Sequence, residues 1–205
     1  RLSELLLFSL PLTVGGYFLS LATFLLAGIM ARAPDPERML PAYYLALGLA
    51  SPAAFAGTRL QTIVLAFPPA DRHRRQTLRF AAAAGCLLGL LPLAFILPGP
   101  AELYYVRLQN LHPDDLGWVQ MTAAALVLLP LAVTLRAQSE GLATWRRQPL
   151  IVLCGHAVFL ITTAAAGFAA LGAGLPGCLI GAASLPLGSL ASSATMRLAL
   201  RSDRA

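Results

Sequence analysis

Apolar positions in this chain come in long uncharged runs, without the short alternations that mark half-buried helices and strands. Leu5 to Ala31 carries no charge, Pro41 to Phe67 carries one, at Arg59, and Phe80 to Ala101 and Leu116 to Leu135 carry none. Gln148 to Met196 is a single uncharged run. A bilayer core of about 30 Å is crossed by about 20 helical residues. As one helix the last run would reach about 70 Å, more than twice that need, and the Gly172-Ala173-Gly174-Leu175-Pro176-Gly177 stretch divides it into two spans joined by a tight hairpin. The pattern predicts an all-α integral membrane protein, a six-transmembrane-helix bundle forming one domain over 1–205, with spans near 5–31, 41–67, 80–101, 116–135, 150–171 and 175–196.

Composition sharpens this. The chain is 58% hydrophobic and 12% charged, with mean hydropathy +0.72, where soluble domains carry about a quarter charged residues. Intrinsic disorder, a disulfide scaffold and a nucleic-acid module are excluded, since each needs more polarity, more cysteine or a continuous basic face. Cys86, Cys154 and Cys178 fall inside apolar runs without paired spacing, so neither a disulfide frame nor a metal site is expected, and no cofactor. The net charge of +6 arises from 15 Arg, with no Lys, against 9 acids. That bias points to a GC-rich bacterial genome and an inner-membrane location. The start at Arg1, without Met, suggests a piece of a longer chain.

The arginines orient the bundle, because cytoplasmic loops carry the excess of cations. With a cytoplasmic N-terminus the inner segments hold Arg1, Arg72, Arg74, Arg75, Arg79, Arg136, Arg146, Arg147, Arg197, Arg201 and Arg204; the outer loops hold Arg32, Arg38 and Arg107. Eleven against three predicts both termini inside, with the segments around Ser139 and Arg74 cytoplasmic and those around Asn110 and Asp35 external. In the longest outer loop, Glu102 to Leu111 is expected as a short interfacial helix with Tyr104, Leu108 and Leu111 on one face. Asp114 is expected to cap the fourth span. Trp145 beside Arg146 and Arg147 fits an aromatic at headgroup depth with cations reaching past it.

Candidate chemistry is sparse. Arg59, about 12 Å by helix rise from the inner end of its span, sits where a guanidinium costs roughly 2.5 to 3.5 kcal/mol on insertion scales. It is the first candidate substrate-binding residue, with Gln61 beside it; the competing reading is an anchor that snorkels inward. His156, early in the fifth span, is a candidate proton relay, against a plain interhelical hydrogen bond. The six spans as drawn contain no acid. Pro11, Pro52, Pro92, Pro130 and Pro186 predict bends, and Gly85/Gly89 and Gly177/Gly181 predict close helix approach. No P-loop, G-x-S-x-G, H-E-x-x-H or C-x-x-C occurs, and the chain is not expected to be an enzyme. An intramembrane serine protease would need His156 with Ser184 or Ser189, neither in a G-x-S-G context.

Several motifs resemble one half of the MATE-like flippase superfamily. Leu135-Arg136-Ala137-Gln138-Ser139-Glu140-Gly141-Leu142 looks like that family's arginine followed by a polar-glycine-apolar turn before the fifth helix. Leu171 to Ala183 resembles its "LGLGVAGAAIAT" hairpin, with Pro176 and Cys178 as departures, and the first span, with Pro11 after Ser9-Leu10, is similar to its opening helix. Tyr44 to Ala50 and the Tyr104-Tyr105 loop look like the progressive ankylosis branch. The resemblance implies one lobe of a two-lobe transporter, six helices with both ends cytoplasmic, working by alternating access with a second six-helix half. The substrate would be a small or lipid-linked molecule, anionic if Arg59 binds it. The acidic cation-binding residues of many drug-extruding members are missing from the predicted spans. The reading from another class is a non-transporting membrane anchor or assembly subunit, told apart by whether Arg59, Gln61 and His156 converge on one hydrated cavity.

Overall fold

The computed structural model describes residues 2–67 and 74–202; Arg1, Arg72 and Arg204 lie outside them. Within the described residues all regular structure is helical. The helices are α1 (Leu2–Met30), α2 (Pro36–Thr58), α3 (Leu60–Ala66), α4 (Arg74–Ala94), α5 (Pro98–Ala101), α6 (Leu116–Leu126), α7 (Leu128–Trp145), α8 (Pro149–Gly172) and α9 (Gly177–Ser202). Among the described residues six segments are long and apolar enough to cross a bilayer: Leu5–Met30, Pro36–Ala66, Arg75–Ala94, Pro113–Trp145, Pro149–Gly172 and Gly177–Ser202. The protein is a multi-pass membrane bundle.

Two spans are interrupted by a single residue. Pro130 has no amide hydrogen and its ring crowds the carbonyl four residues back, so α6 gives way to α7 at Val127, whose N–H turns to Ala124 O at 3.3 Å. The second span breaks at Arg59, where the N–H bonds Ala56 O at 3.2 Å in a tightened turn. Both short connections at the far end of the chain are Schellman turns. Gly174 N–H reaches Leu171 O and Leu175 N–H reaches Ala170 O, each at 3.0 Å, with Gly174 in the left-handed region at φ 72°. Arg147 and Gln148 repeat this on Thr144 O and Ala143 O, with Arg147 at φ 56° where glycine is usual.

The fourth span is the hub. α7 packs on α2, α3, α4 and α9, while α8 packs on α9 and α1. Because lipid is as apolar as leucine, such contacts depend on close fit, and glycines provide it. A Cβ on Gly85 would lie 2.6 Å from Leu131 Cα, and one on Gly89 would lie 2.8 Å from Val127 O. Gly181 faces the Tyr43 ring and Met30 Sδ at a similar distance, so the predicted G-x-x-x-G pairs do seat neighbours. α1, by contrast, touches α2 little, and about half of its large side chains, Leu6, Leu10, Tyr17 and Phe24 among them, are exposed.

Several boundaries differ from expectation. The fourth span does not stop at 135: it continues helically to Trp145, and Ser139 is fully buried in it. Charge was the reason for stopping there, and those charges are neutralised inside the bundle, as described below. The third span ends at Ala94, because Pro92 and Pro98 force the tight turns Phe95 N–H to Pro92 O and Ile96 N–H to Leu93 O. The second starts at Pro36 and the sixth runs to Ser202, carrying Arg197 within it. With the arginines inside these longer spans (Arg38, Arg75, Arg79, Arg136, Arg197 and Arg201) removed from the loop count, the arginine asymmetry becomes six to two.

In the long loop, α5 continues as a π-helix over Glu102–Leu108 that buries Tyr105 completely and leaves Leu108 exposed, so the buried face is centred on Tyr105. Burial pushes the Tyr105 phenol up to about 12. Asp114 does not cap: its own N–H meets His112 Nδ1 at 3.4 Å, and the neighbouring Asp115 accepts Arg38 Nε at 2.9 Å. That pair joins the start of the second span to the start of the fourth at one end of the bundle. At the other end Arg146 donates to Leu200 O at 3.1 Å.

Candidate functional site

Residues 136 and 140 are one helical turn apart on α7 and therefore share a face. Their side chains are 10% and 9% exposed, and Arg136 Nε stands 3.3 Å from Glu140 Oε1. The same oxygen meets His156 Nε2, from α8, at 2.8 Å. Phe159, one turn beyond His156, lies under the guanidinium with Cζ 5.0 Å from its ring centroid, a further cation–π contact. An unpaired charge here would cost several kcal/mol. Arg136, Glu140 and His156 offset that cost as a set.

The ring of His156 fits because α1 presents a glycine to it. A Cβ on Gly15 would sit 2.5 Å from His156 Nδ1. With Nε2–H donating to Glu140, Nδ1 of the neutral ring is an acceptor, and among the described residues it has no partner.

On the opposite flank α7 and α9 are joined by a polar seam. Ser139 Oγ and Ser193 Oγ are 3.1 Å apart, Ser193 donates to Leu135 O at 3.0 Å, and Arg197 Nε donates to Ser139 Oγ at 3.1 Å. Arg197 also reaches Gln138 Oε1 at 3.4 Å. These bonds fix the rotation of α7 about its axis and so fix where Arg136 points.

It points into a cavity of about 470 Å³ in the cleft between α1 and α2. Leu19, Ser20 and Thr23 form one wall; Ser51, Phe55 and Thr58 form the other; Leu129, Val133, Arg136, Phe159, Leu185 and Ser189 form the floor. Among the described residues Arg136 is its only charged lining residue. Thr23, Ser51 and Thr58 each donate to a carbonyl of their own helix, at 2.7 Å, which leaves the hydroxyl oxygens as acceptors. The cavity is thus an apolar slot with one cation at its floor.

The residues singled out in the sequence are placed apart. Arg59 is exposed at the α2–α3 break, adjacent in sequence to the cavity-lining Thr58 but not lining the cavity itself. Gln61 is half-buried on α3, where its carbonyl oxygen closes on Gly141. His156 is buried behind Arg136. None of the three lines the α1–α2 cleft. Ser184 donates to Ile180 O at 2.7 Å, and Ser189 faces the cleft; neither hydrogen-bonds His156. Glu140 supplies the intramembrane acid that the shorter fourth span had excluded. The signal for it was present: Arg and Glu four apart, separated by Ala-Gln-Ser, with no Pro or Gly between Leu135 and Glu140.

No family model matches the chain, nor does any characterised protein or solved structure.

Proposed function

We propose that the chain is one six-helix half of a secondary transporter or flippase, of the MATE-like kind its motifs resemble, and that Arg136 binds the anionic group of an amphiphilic or lipid-linked substrate. The observation that carries this is Arg136 itself, a guanidinium at the floor of a cavity between apolar helices long enough to cross a bilayer, with Glu140 and His156 behind it. Ionisable groups within a bilayer mark substrate and proton pathways. A guanidinium is suited to phosphate or carboxylate, which it meets with two parallel hydrogen bonds. The apolar walls suit an acyl or prenyl body, and the cleft between α1 and α2 offers a lateral way in.

His156 keeps the coupling role in this reading. With the imidazole neutral, Arg136, Glu140 and His156 sum to zero charge; one added proton makes the set +1 and strengthens its hold on an anion. Proton and anion would then enter and leave together. Arg59 and Gln61, at the α2–α3 break, serve as a weaker second contact for the substrate along the same helix as Thr58. Alternating access uses a second six-helix half against the α1–α2 side, in the same chain or as a second copy, in a bacterial inner membrane with both ends cytoplasmic. The six-to-two arginine asymmetry outside the spans supports that orientation, and single cysteines at Asn110 and Ser202 should label from opposite sides of intact cells.

A non-transporting anchor is the second reading. The exposure of Arg59 and its separation from His156 favour it. Flux of a fluorescent short-chain phosphatidic acid in proteoliposomes separates the two. Wild-type flux that falls at least tenfold in Arg136→Gln, with Arg136→Lys in between, supports transport at this site. Equal flux from protein-free liposomes and wild type returns the chain to an anchor, and robust flux from a strictly monomeric chain overturns the two-half mechanism.

A further inference from the structure

A second cavity, of about 820 Å³, lies at the arginine-rich end of the bundle. Its walls are the first turns of α1, the start of α8 and the end of α9, and it shares no lining residue with the α1–α2 cleft. Leu6, Leu10, Leu150 and Ile151 make it apolar, Arg147 stands on its rim, and among the described residues no acid lines it. Arg201 is exposed beside the lining Ser202, and Trp145 is exposed two residues before Arg147.

Arg147 occupies the C′ position of the turn after α7, with φ 56°. Glycine is usual there, as at Gly174 in the next turn, and a side chain in the left-handed region costs about 1 to 2 kcal/mol. The fold carries that cost at the one place in the turn that sets a cation on the cavity rim.

We propose that this cavity is a binding site for one anionic phospholipid, an acyl chain lying against Leu6, Leu10, Leu150 and Ile151 and the phosphate on Arg147. Its volume falls within the roughly 300 to 1,000 Å³ of small-molecule sites. An apolar slot between membrane helices with cations at headgroup level complements an anionic lipid. A second copy of this chain fits less well, since a symmetric contact would bring the same arginine-rich end against Arg147, and like charges facing each other disfavour association. The site does not depend on the transport reading.

Native mass spectrometry of the delipidated protein, titrated with chain-matched phosphatidylglycerol or phosphatidylcholine, tests it. One phosphatidylglycerol should bind at least tenfold more tightly than phosphatidylcholine. Arg147→Gly, which removes the charge while suiting the backbone, should abolish that preference; Arg147→Lys should keep most of it. Ile151→Trp, filling the slot, should weaken both lipids; all of these comparisons are made in an Arg136→Gln background, so that the α1–α2 cleft offers no cation to the phosphate. Equal binding of the two lipids, an unchanged preference in Arg147→Gly, glycerol 3-phosphate binding as tightly as the whole lipid, or a dimer that covers Arg147 without lipid would each overturn the proposal.

Discussion

The two sides of this bundle are built to different specifications. In the last helix, α9, 67% of the most apolar window is buried within the protein; in the first, α1, 11% is. The α7–α8–α9 side spends its polar groups on one another, through Arg136, Glu140, His156, Ser139, Ser193 and Arg197. The α1–α2 side leaves a cleft and ties its hydroxyls to its own backbone. Hydrocarbon offers no water to satisfy a stray polar group, so the paired side is the one whose geometry is set. The other has little between its helices to break. Rigid positioning of a cation beside a loosely joined wall is an arrangement in which a ligand, or a second half, can change one side without dismantling the other.

The largest effect should come from breaking the paired side. Glu140→Ala leaves Arg136 buried without its acid, and removing one partner of a buried ion pair costs about 3 to 5 kcal/mol. Unfolding in a mixed-micelle titration should detect that loss, with Glu140→Gln milder because it still accepts from His156. An Glu140→Ala protein as stable as wild type would remove the distinction between the two sides.

Next comes a substitution at their junction. Gly15→Ala places a methyl 2.5 Å from His156 Nδ1, whereas Gly16, one residue on, has nothing within 4 Å. Overpacking of this sort costs about 1 to 3 kcal/mol, so Gly15→Ala should destabilise the bundle and Gly16→Ala should be neutral or better. Equal behaviour of the two would mean that α1 does not seat on His156.

The smallest effect belongs to Arg59→Gln on the open side. Arg59 sits where α2 gives way to α3, but its exposed side chain makes no capping bond there, so its replacement should change stability by about 0.5 kcal/mol or less, and flux should fall by less than it does in Arg136→Gln. A larger loss of flux than in Arg136→Gln would move the substrate contact to the α2–α3 break.

The same contrast explains what the sequence discloses. Long uncharged runs reveal the six crossings, and the Gly172–Gly177 stretch reveals the final hairpin, because both follow from the bilayer's thickness and from glycine's backbone freedom. The paired side is obscured for a physical reason. Arg136 and Glu140 cancel only through side chains that a linear count cannot pair with His156, sixteen residues further on, and a charge-free criterion therefore cut the helix at Leu135. Arg59 drew attention as the lone charge in a run, yet a charge with no partner in sequence is also the one best able to lie exposed. Gly15 carried no signal, since its role is the space it leaves for His156.

The cavity-facing cation is the centre of this account, and ligand stabilisation tests it most directly. Thermal unfolding would be followed in maltoside micelles, in an Arg147→Gly background so that the second cavity has lost its lining cation, with dodecyl phosphate, dodecyltrimethylammonium or no addition. Dodecyl phosphate should raise the unfolding midpoint, the cationic analogue should not, and adding Arg136→Gln should abolish the rise. An undiminished rise with Arg136→Gln, or equal rises with the two amphiphiles, would contradict anion recognition at Arg136.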